Sequence, residues 1–204
     1  MVVWVDNGPQ RKAAEEGVRA ILRYLGEDVD REGLADTPRR VGSALREMTL
    51  GQTENPEQHL KRVFDSTCEV SEGLSVGYDG MVTENEISFT STCEHHLLPF
   101  WGLAWVGYVA CPGSKVVGIS KLARVVEVYA RRLQMQERIT AQVAHCINEN
   151  LEVDGVMVVL KAAHSCIRCR GARNHTTTLT TSVCLGVLRE DGKARDEMMR
   201  LMGL

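Results

Sequence analysis

Apolar residues recur at helical spacing in the first third of the chain and again after its midpoint. Residues 13–25 carry a stripe at intervals of three and four, as in an amphipathic helix: Val18, Ile21, Leu22 and Leu25. Next, Asp36-Thr37-Pro38 places a capping residue ahead of proline and predicts a second helix that ends near Gly51. Helical spacing returns from Ser120 to about Leu151, which predicts long helices there.

Segments rich in β-branched and aromatic residues predict four strands, at 80–92, 102–110, 155–166 and 174–188. The order of helices, two strands, long helices and two strands differs from the alternating pattern of parallel α/β folds. It predicts an α+β fold with antiparallel hairpins and an N-terminal helical segment. We divide the chain into that helical segment, residues 1–60, and a sheet-containing domain, residues 61–204.

Composition and charge narrow the class of protein. The 204 residues are 44% hydrophobic and 25% charged, which is typical of a soluble globular protein. A net charge of −3 argues against a general nucleic-acid binder, although it allows a local basic pocket for a small phosphorylated molecule. The first residues do not form a signal peptide, and no apolar run is long enough to span a bilayer. We therefore expect a cytoplasmic protein without nucleic-acid or membrane partners.

Two short segments carry thiol and imidazole groups at metal-binding spacing. Cys93 and His96 are three residues apart, and Cys166 and Cys169 form a second pair with the same spacing. Thiolate and imidazole ligands suit Zn²⁺, which is tetrahedral. The remaining cysteines are isolated, and a lone cysteine is usually a small buried apolar residue: Cys68, Cys111, Cys146 and Cys184.

The spacing allows two kinds of zinc site. All four residues together would form a closed Cys₃His site, which is structural. Three ligands would leave the fourth position open for a reactive water, as in catalytic sites. If residues 162–170 are extended, side chains alternate, so Cys166 and Cys169 point to opposite sides. The alternation favours the open site, with the closed site as the alternative.

Several separated motifs make the chain resemble the GTP cyclohydrolase I family over residues 10–203. The resemblance is densest between residues 90 and 188. The matching segments are STCEHHLLPFWG at 91–102, GISKLAR at 118–124, Gln136-Glu137-Arg138, His164-Ser165-Cys166 with Arg170-Gly171, Thr37-Pro38-Arg39-Arg40, and LGVLRED at 185–191.

The resemblance implies a fold, an assembly and a reaction. The fold is the T-fold subunit, an antiparallel sheet backed by long helices, and the assembly is a toroidal homodecamer with active sites between subunits. The reaction converts GTP and water to 7,8-dihydroneopterin triphosphate and formate, the first step of pterin synthesis. One Zn²⁺ per subunit is implied, held by Cys93, His96 and Cys166, with a water that attacks C8 of guanine.

Further roles follow from the same resemblance. His164 would protonate the ring nitrogen as C8 is attacked, and His95 would handle protons during ring opening and loss of formate. Imidazole suits both tasks because it titrates near neutral pH. Ser120 would relay a proton in the ribose rearrangement, and Gln136 belongs to the same catalytic group. Glu137 would accept hydrogen bonds from the guanine N1–H and 2-amino group.

The triphosphate would be held by cationic side chains: Lys121, Arg124, Arg170 and Arg40. Some family members have a lysine one helical turn after the last of these, where this chain has Ser43. Two alternative functions remain. One is a zinc-stabilised T-fold relative that acts on another purine or pterin. The other is a binding or scaffold protein that uses the closed Cys₃His site.

Overall fold

The computed structural model describes residues 8–204. Its α-helices are α1 (Gly8–Tyr24), α2 (Thr37–Met48), α3 (Glu57–Leu60), α4 (Ser120–Ala130), α5 (Gln136–Asn150), α6 (Ser165–Arg168), α7 (Val187–Glu190) and α8 (Gly192–Met202). Its strands are β1 (Val63–Phe64), β2 (Cys68–Ser71), β3 (Leu74–Val76), β4 (Met81–Cys93), β5 (Pro99–Ala110), β6 (Val116–Val117), β7 (Leu133–Gln134), β8 (Val153–His164) and β9 (Leu179–Gly186). Short 3₁₀ helices cover Glu32–Leu34 and Leu50–Thr53.

A five-stranded sheet in the order β7-β4-β5-β8-β9 forms the centre of the fold. Its four long strands are antiparallel to their neighbours, and the short β7 pairs parallel to β4. The predicted α+β fold with an antiparallel sheet is thus confirmed, and it is consistent with a T-fold. Two small ribbons, β1 with β6 and β2 with β3, were not predicted. The β2 and β3 side chains are all exposed, so that ribbon has no buried face to mark it in the sequence.

The long helices α4 and α5 lie on one face of the sheet, as predicted, and bury its larger core. Apolar side chains of both helices are fully enclosed against inward-facing residues of β5 and β8: Val125, Val126, Ile139, Val143, Ile147, Ala104, Val106, Val158 and Leu160. Burial of each Val, Leu or Ile side chain stabilises the fold by roughly 1.5–3 kcal/mol. Alternate strand residues point to the second face, where α7 and α8 cover a smaller cluster around Trp105 and Met157.

The predicted helical stretch from Ser120 to Leu151 is interrupted. The chain leaves α4 at Arg131, forms β7, and re-enters a helix at Gln136. The Arg132 guanidinium donates hydrogen bonds to the carbonyl oxygens of Val128 and Gly51, which satisfies one orphan acceptor at the end of α4. The interruption adds β7 beside the last two residues of β4, next to Cys93.

The N-terminal segment is helical, as the pattern predicts, and it packs mainly through its C-terminal part. Helix α2 begins at Thr37 after Asp36, while α1 contributes no buried residue within the described range. Gly51 is buried against the end of α4. The division between residues 1–60 and 61–204 stays a prediction, and residues 1–7 of it lie outside the described part of the chain.

None of the helices found between residues 8 and 204 is both long and apolar enough to cross a bilayer. The predicted cytoplasmic location stays a prediction. Strand bounds also differ slightly from those expected: β9 begins at Leu179 rather than residue 174, and β8 ends at His164 rather than residue 166.

Substitution of Gly51 by Ala should destabilise the fold. An added Cβ would lie 2.1 Å from the carbonyl oxygen of Val128 and 2.8 Å from that of Arg131, both backbone atoms. We expect the free energy of unfolding to fall by about 1–3 kcal/mol. Gly42 of α2 is the matched control, because an added Cβ there meets nothing within 4 Å. Gly42→Ala should raise stability by about 0.5–1 kcal/mol. Thermal midpoints at equal protein concentration check both, and equal midpoints for the two variants would contradict the packing argument.

Candidate metal and catalytic site

The ends of β4 and β8 bring three metal-binding side chains together. Both strands pair with β5 and are antiparallel to it. They therefore run in the same direction, and their C-terminal residues lie at the same end of the sheet. Cys93 is the last residue of β4, and Cys166 lies in α6, directly after β8. His96 lies in a tight turn after β4, where the Leu97 N–H donates to the Cys93 carbonyl at 2.8 Å.

This group has the geometry and donor set of a metal site. The ligand atoms of Cys93, His96 and Cys166 all lie within 4.8 Å of one another. Cys93 Sγ is 3.6 Å from His96 Nδ1, and a tetrahedral zinc ion with bonds of about 2.0–2.3 Å holds its ligand atoms roughly 3.5–3.8 Å apart. Burial and the neighbouring Cys93 sulfur raise the pKa of the Cys166 thiol. A cation between the two sulfurs would reverse this shift, because it favours thiolates.

Cys169 is exposed and lies outside the metal-binding group found in the described residues. The group therefore agrees with the open, three-ligand alternative. The reason that the sequence offered was nevertheless wrong. Residues 162–170 are not extended throughout, because β8 ends at His164 and Ser165–Arg168 forms a helical turn.

His164 is held in place beside the metal-binding group by a buried polar network. Its ring stacks on Phe100, with ring centroids 4.5 Å apart and planes 6° from parallel. Its Nε2 lies 2.9 Å from the side-chain oxygen of Gln136, which is fully buried. The Gln136 amide nitrogen donates to the carbonyl oxygen of Leu160 at 3.0 Å and to Thr181 Oγ1 at 3.1 Å.

These contacts decide how the His164 ring is protonated. Since the Gln136 nitrogen donates to main-chain and hydroxyl acceptors, its oxygen must face His164 and can only accept. His164 Nε2 is therefore the N–H nitrogen, and Nδ1 is the basic nitrogen of the neutral ring. Burial lowers the pKa of His164, while the Glu137 carboxylate acts in the opposite direction. Gln136 thus lies behind the histidine, with its amide occupied by protein groups.

His95 and Glu94 extend the site on its exposed side. His95 Nδ1 is 4.0 Å from Cys93 Sγ, and its Nε2 is 3.8 Å from a Glu94 carboxylate oxygen. Glu94 forms a two-point pair with the Arg138 guanidinium, in which Nη2 donates to Oε1 at 3.0 Å. Hydrogen bonds from Arg138 hold the pKa of Glu94 below its usual range. The carboxylate is therefore ionised at neutral pH.

Two more predicted residues, Arg170 and Glu137, lie near the metal-binding group and His164. Arg170 Nη1 is 3.2 Å from His96 Nε2, which places a cation next to the metal-binding group. Glu137 is exposed in the first turn of α5, beside Gln136. Its carboxylate is close enough to His164 to influence that pKa.

Three other predicted residues lie at the far end of β4: Ser120, Lys121 and Arg124. They belong to the first turns of α4, where the Ala123 N–H donates to the Glu84 carboxylate at 3.2 Å. Glu84 precedes Cys93 by nine residues on the same strand, which is a distance of roughly 25–30 Å in extended chain. These three residues and the metal-binding group of one chain therefore do not meet.

Ser120 and Arg124 instead line a groove of about 950 Å³ between β4 and the helices. Arg40 lies on α2, is exposed, and pairs with Asp36 at 3.3 Å. Apart from Arg40, the predicted residues thus form two groups, one towards each end of β4. Five residues of the site had no role predicted from the sequence: Glu94, Arg138, Phe100, Thr140 and Thr181. The first three stand inside quoted motifs, STCEHHLLPFWG and Gln136-Glu137-Arg138, and that position was the available signal.

The three-ligand group predicts a specific order of metal loss among cysteine variants. Cys93→Ser and Cys166→Ser should each retain less than about a tenth of the wild-type metal, because a ligating sulfur is lost. Cys169→Ser should bind metal as the wild type does. Elemental analysis of protein loaded with zinc and then desalted measures this. Loss of metal from Cys169→Ser equal to that from Cys166→Ser would instead support the closed site.

Comparison with known proteins identifies the relatives of this chain. The family model for GTP cyclohydrolase I matches residues 14–203. The GTP cyclohydrolase 1 of Thermobifida fusca is 43% identical over 195 residues, which cover 96% of this chain and 89% of that protein. The GTP cyclohydrolase 1 of Streptomyces avermitilis is 46% identical over 191 residues, with 94% and 90% covered.

A solved structure, that of the archaeosine synthase QueF-Like in the apo form, is a more distant likeness. It is 16% identical, has a TM-score of 0.41, and covers 52% of this chain and 94% of that chain. The family model and the curated relatives cover nearly the whole sequence, and they carry the assignment. The chain belongs to the GTP cyclohydrolase I family.

Proposed function

We propose that this enzyme converts GTP and water to 7,8-dihydroneopterin triphosphate and formate, using one zinc ion per subunit. The observation that carries the proposal is the group of Cys93, His96 and Cys166 with two further histidines beside it. Family membership supplies the substrate class. The product would feed pterin or folate synthesis.

The two cysteines and His96 would hold the zinc ion, whose donor set they match. When bound, zinc supplies a Lewis acid that lowers the pKa of a water molecule toward neutrality. The chain itself contributes the surroundings. Burial of Cys93 and the close packing of Phe100 exclude bulk solvent from the inner side of the group.

His164 is the candidate acid for the guanine ring. Because Nε2 donates to Gln136, Nδ1 is the nitrogen that would take up a proton from solvent and then give it to the ring nitrogen next to C8. The stack on Phe100 fixes the plane of the imidazole. The proton at Nε2 stays on the enzyme, so the reactive nitrogen is the same in every cycle.

His95 is the candidate carrier for the later protons. Its ring is exposed, and it stands at right angles to His96, with centroids 6.2 Å apart. Exposure allows it to exchange protons with solvent while formate leaves. Ser120 would relay a proton in the rearrangement of the opened ribose.

Charge complementarity supports the assignment of the remaining residues. Glu137 is an exposed carboxylate next to His164, and it would accept two hydrogen bonds from the N1–H and 2-amino group of guanine. Arg170 would bind the triphosphate near the metal-binding group, with Lys121, Arg124 and Arg40 as further cationic contacts. Arginine binds phosphate oxygens in a bidentate manner, and lysine acts as a point charge.

A second copy of the chain would supply the group that contains Ser120. One chain holds the two groups roughly 25–30 Å apart along β4, which is too far for a single active site. Within residues 8–204, β7 pairs only with Thr92 and Cys93, so most of that edge of β4 has no strand partner. β9 presents a second edge. Exposed edges favour pairing with another chain, which fits the homodecamer with active sites between subunits.

Incubation of the zinc-loaded protein with GTP tests the reaction. We expect equimolar formate and, after oxidation, fluorescent neopterin. His95→Ala and His164→Ala should keep zinc and lose roughly 10²–10⁴-fold in turnover, because each removes a general acid or base. Formate release is measured enzymatically and zinc by elemental analysis. Unchanged GTP with a full zinc complement would contradict the proposal and favour a relative that acts on another purine or pterin.

Mixing two inactive variants tests whether active sites lie between subunits. One variant is His164→Ala, and the other is the double substitution of Ser120 and Lys121 by Ala. Co-refolded at equal amounts, they should recover about a quarter of the wild-type sites, because half-sites from different chains combine at random. Activity is measured before and after mixing. If the mixture stays as inactive as its components, the two groups do not come from different chains.

A further inference from the structure

We propose that Glu94 and Arg138 are positioning residues that hold the metal-binding turn at a fixed separation from the first turn of α5. This inference rests on the proposed function, since it concerns how GTP is aligned for attack at C8. Neither residue is required as a metal ligand or a proton carrier. Their effect would pass through Cys93 and His95 on one side and through Glu137 on the other.

The contact between the two side chains is a two-point pair. Arg138 Nη2 donates to Glu94 Oε1 at 3.0 Å, and Nη1 donates to Oε2 at a shorter distance. A guanidinium matched to a carboxylate in this way fixes orientation as well as distance. The main chain adds a second tie, because the Glu94 N–H donates to the Gln134 carbonyl at 3.1 Å.

Sequence position makes this pair a direct link between the two parts of the site. Glu94 lies between Cys93 and His95, and its Oε1 is also 3.8 Å from His95 Nε2. Arg138 directly follows Glu137 in the first turn of α5. The metal-binding turn and the residue expected to bind guanine are therefore each one residue away from the pair.

Stability alone does not account for the pair. The two side chains retain 40% and 29% of their accessible surface, and ion pairs at this exposure add little to folding. A bidentate pair in this position affects the placement of the metal-binding turn more than it affects the free energy of unfolding. Displacement of a reacting group by about 1 Å can lower a rate by roughly 10²-fold. Loss of the pair should thus lower kcat, while the triphosphate contacts keep KM nearly unchanged.

A double-mutant cycle on the zinc-loaded, full-length protein tests this proposal. The variants are Glu94→Gln, Arg138→Gln and the double variant, assayed for formate release from GTP. Each single variant should lower kcat by roughly 10- to 100-fold, with KM changed by less than about threefold. The double variant should be no slower than the slower single variant, because both changes break one interaction. Arg138→Lys should recover only a part of kcat, since an ammonium cannot pair in a bidentate manner.

Two readouts separate positioning from a general structural role. Zinc content and thermal midpoint should stay close to those of the wild type in all variants. Equilibrium binding of a GTP analogue with a carbonyl group at C8, which cannot release formate, should also change by less than about threefold. The matched control is the exposed pair of Arg31 and Glu27, with a 2.9 Å contact far along the chain from the site. Glu27→Gln and Arg31→Gln should leave kcat unchanged.

Several results would overturn the inference. The first is a kcat that is unaltered in both single variants. The second is a loss of kcat in the double variant that equals the product of the two single losses. The third is a loss of kcat that follows the loss of zinc. If the wild type turns over GTP normally and any of these results is found, the positioning role is contradicted and the proposed function still stands. Absence of formate from the zinc-loaded wild type would overturn the proposed function, and the positioning role with it.

Discussion

The shared direction of β4 and β8 is the constraint on which the candidate site depends. The two strands lie on either side of β5 and are antiparallel to it, so their C-terminal residues lie close together at one end of the sheet. In that register Phe100 pairs with His164, which sets the ring stack as well as the position of Cys166. A shift by one residue would turn alternate side chains to the other face and separate the three sulfur and nitrogen donors.

Buried hydrogen bonds convert this strand pairing into a defined orientation of side chains. A fully buried amide such as Gln136 is costly unless both its nitrogen and its oxygen are satisfied. Here β8, β9 and His164 together satisfy it, and Thr140 also bonds to Thr181 at 2.7 Å. Any rotation of His164 would leave the Gln136 oxygen without its partner. The packing of α5 on the sheet therefore fixes which ring nitrogen of His164, on β8, faces Gln136.

The local pattern of apolar and polar residues was sufficient to predict some features of the fold and of the candidate site, but not others. Periodicity predicted the helices, because it reports which side of an element is buried, and the order of helices and strands predicted the α+β fold. It could not show the interruption at Arg131, after which the Arg132 side chain donates to the Gly51 carbonyl oxygen in another segment. The helical turn at Ser165 was missed for a similar reason: four residues are too few to carry a period. The role of Gln136 and the Glu94 pair with Arg138 depend on contacts between residues 28 and 44 positions apart, which spacing does not encode.

The separation of the two groups along β4 would make assembly a condition for the proposed reaction. In an antiparallel sheet a strand of this length spans most of the domain, so groups at its two ends cannot act on one small molecule. The metal-binding end carries the histidines, and the other end carries Ser120, Lys121 and Arg124. Neither would be complete as a GTP site by itself, since Arg170 is the one proposed triphosphate contact at the first end and the three metal-binding residues all lie there, away from the second end. The same edges that leave β4 and β9 open to pairing would thus couple the formation of an active site to the association of subunits.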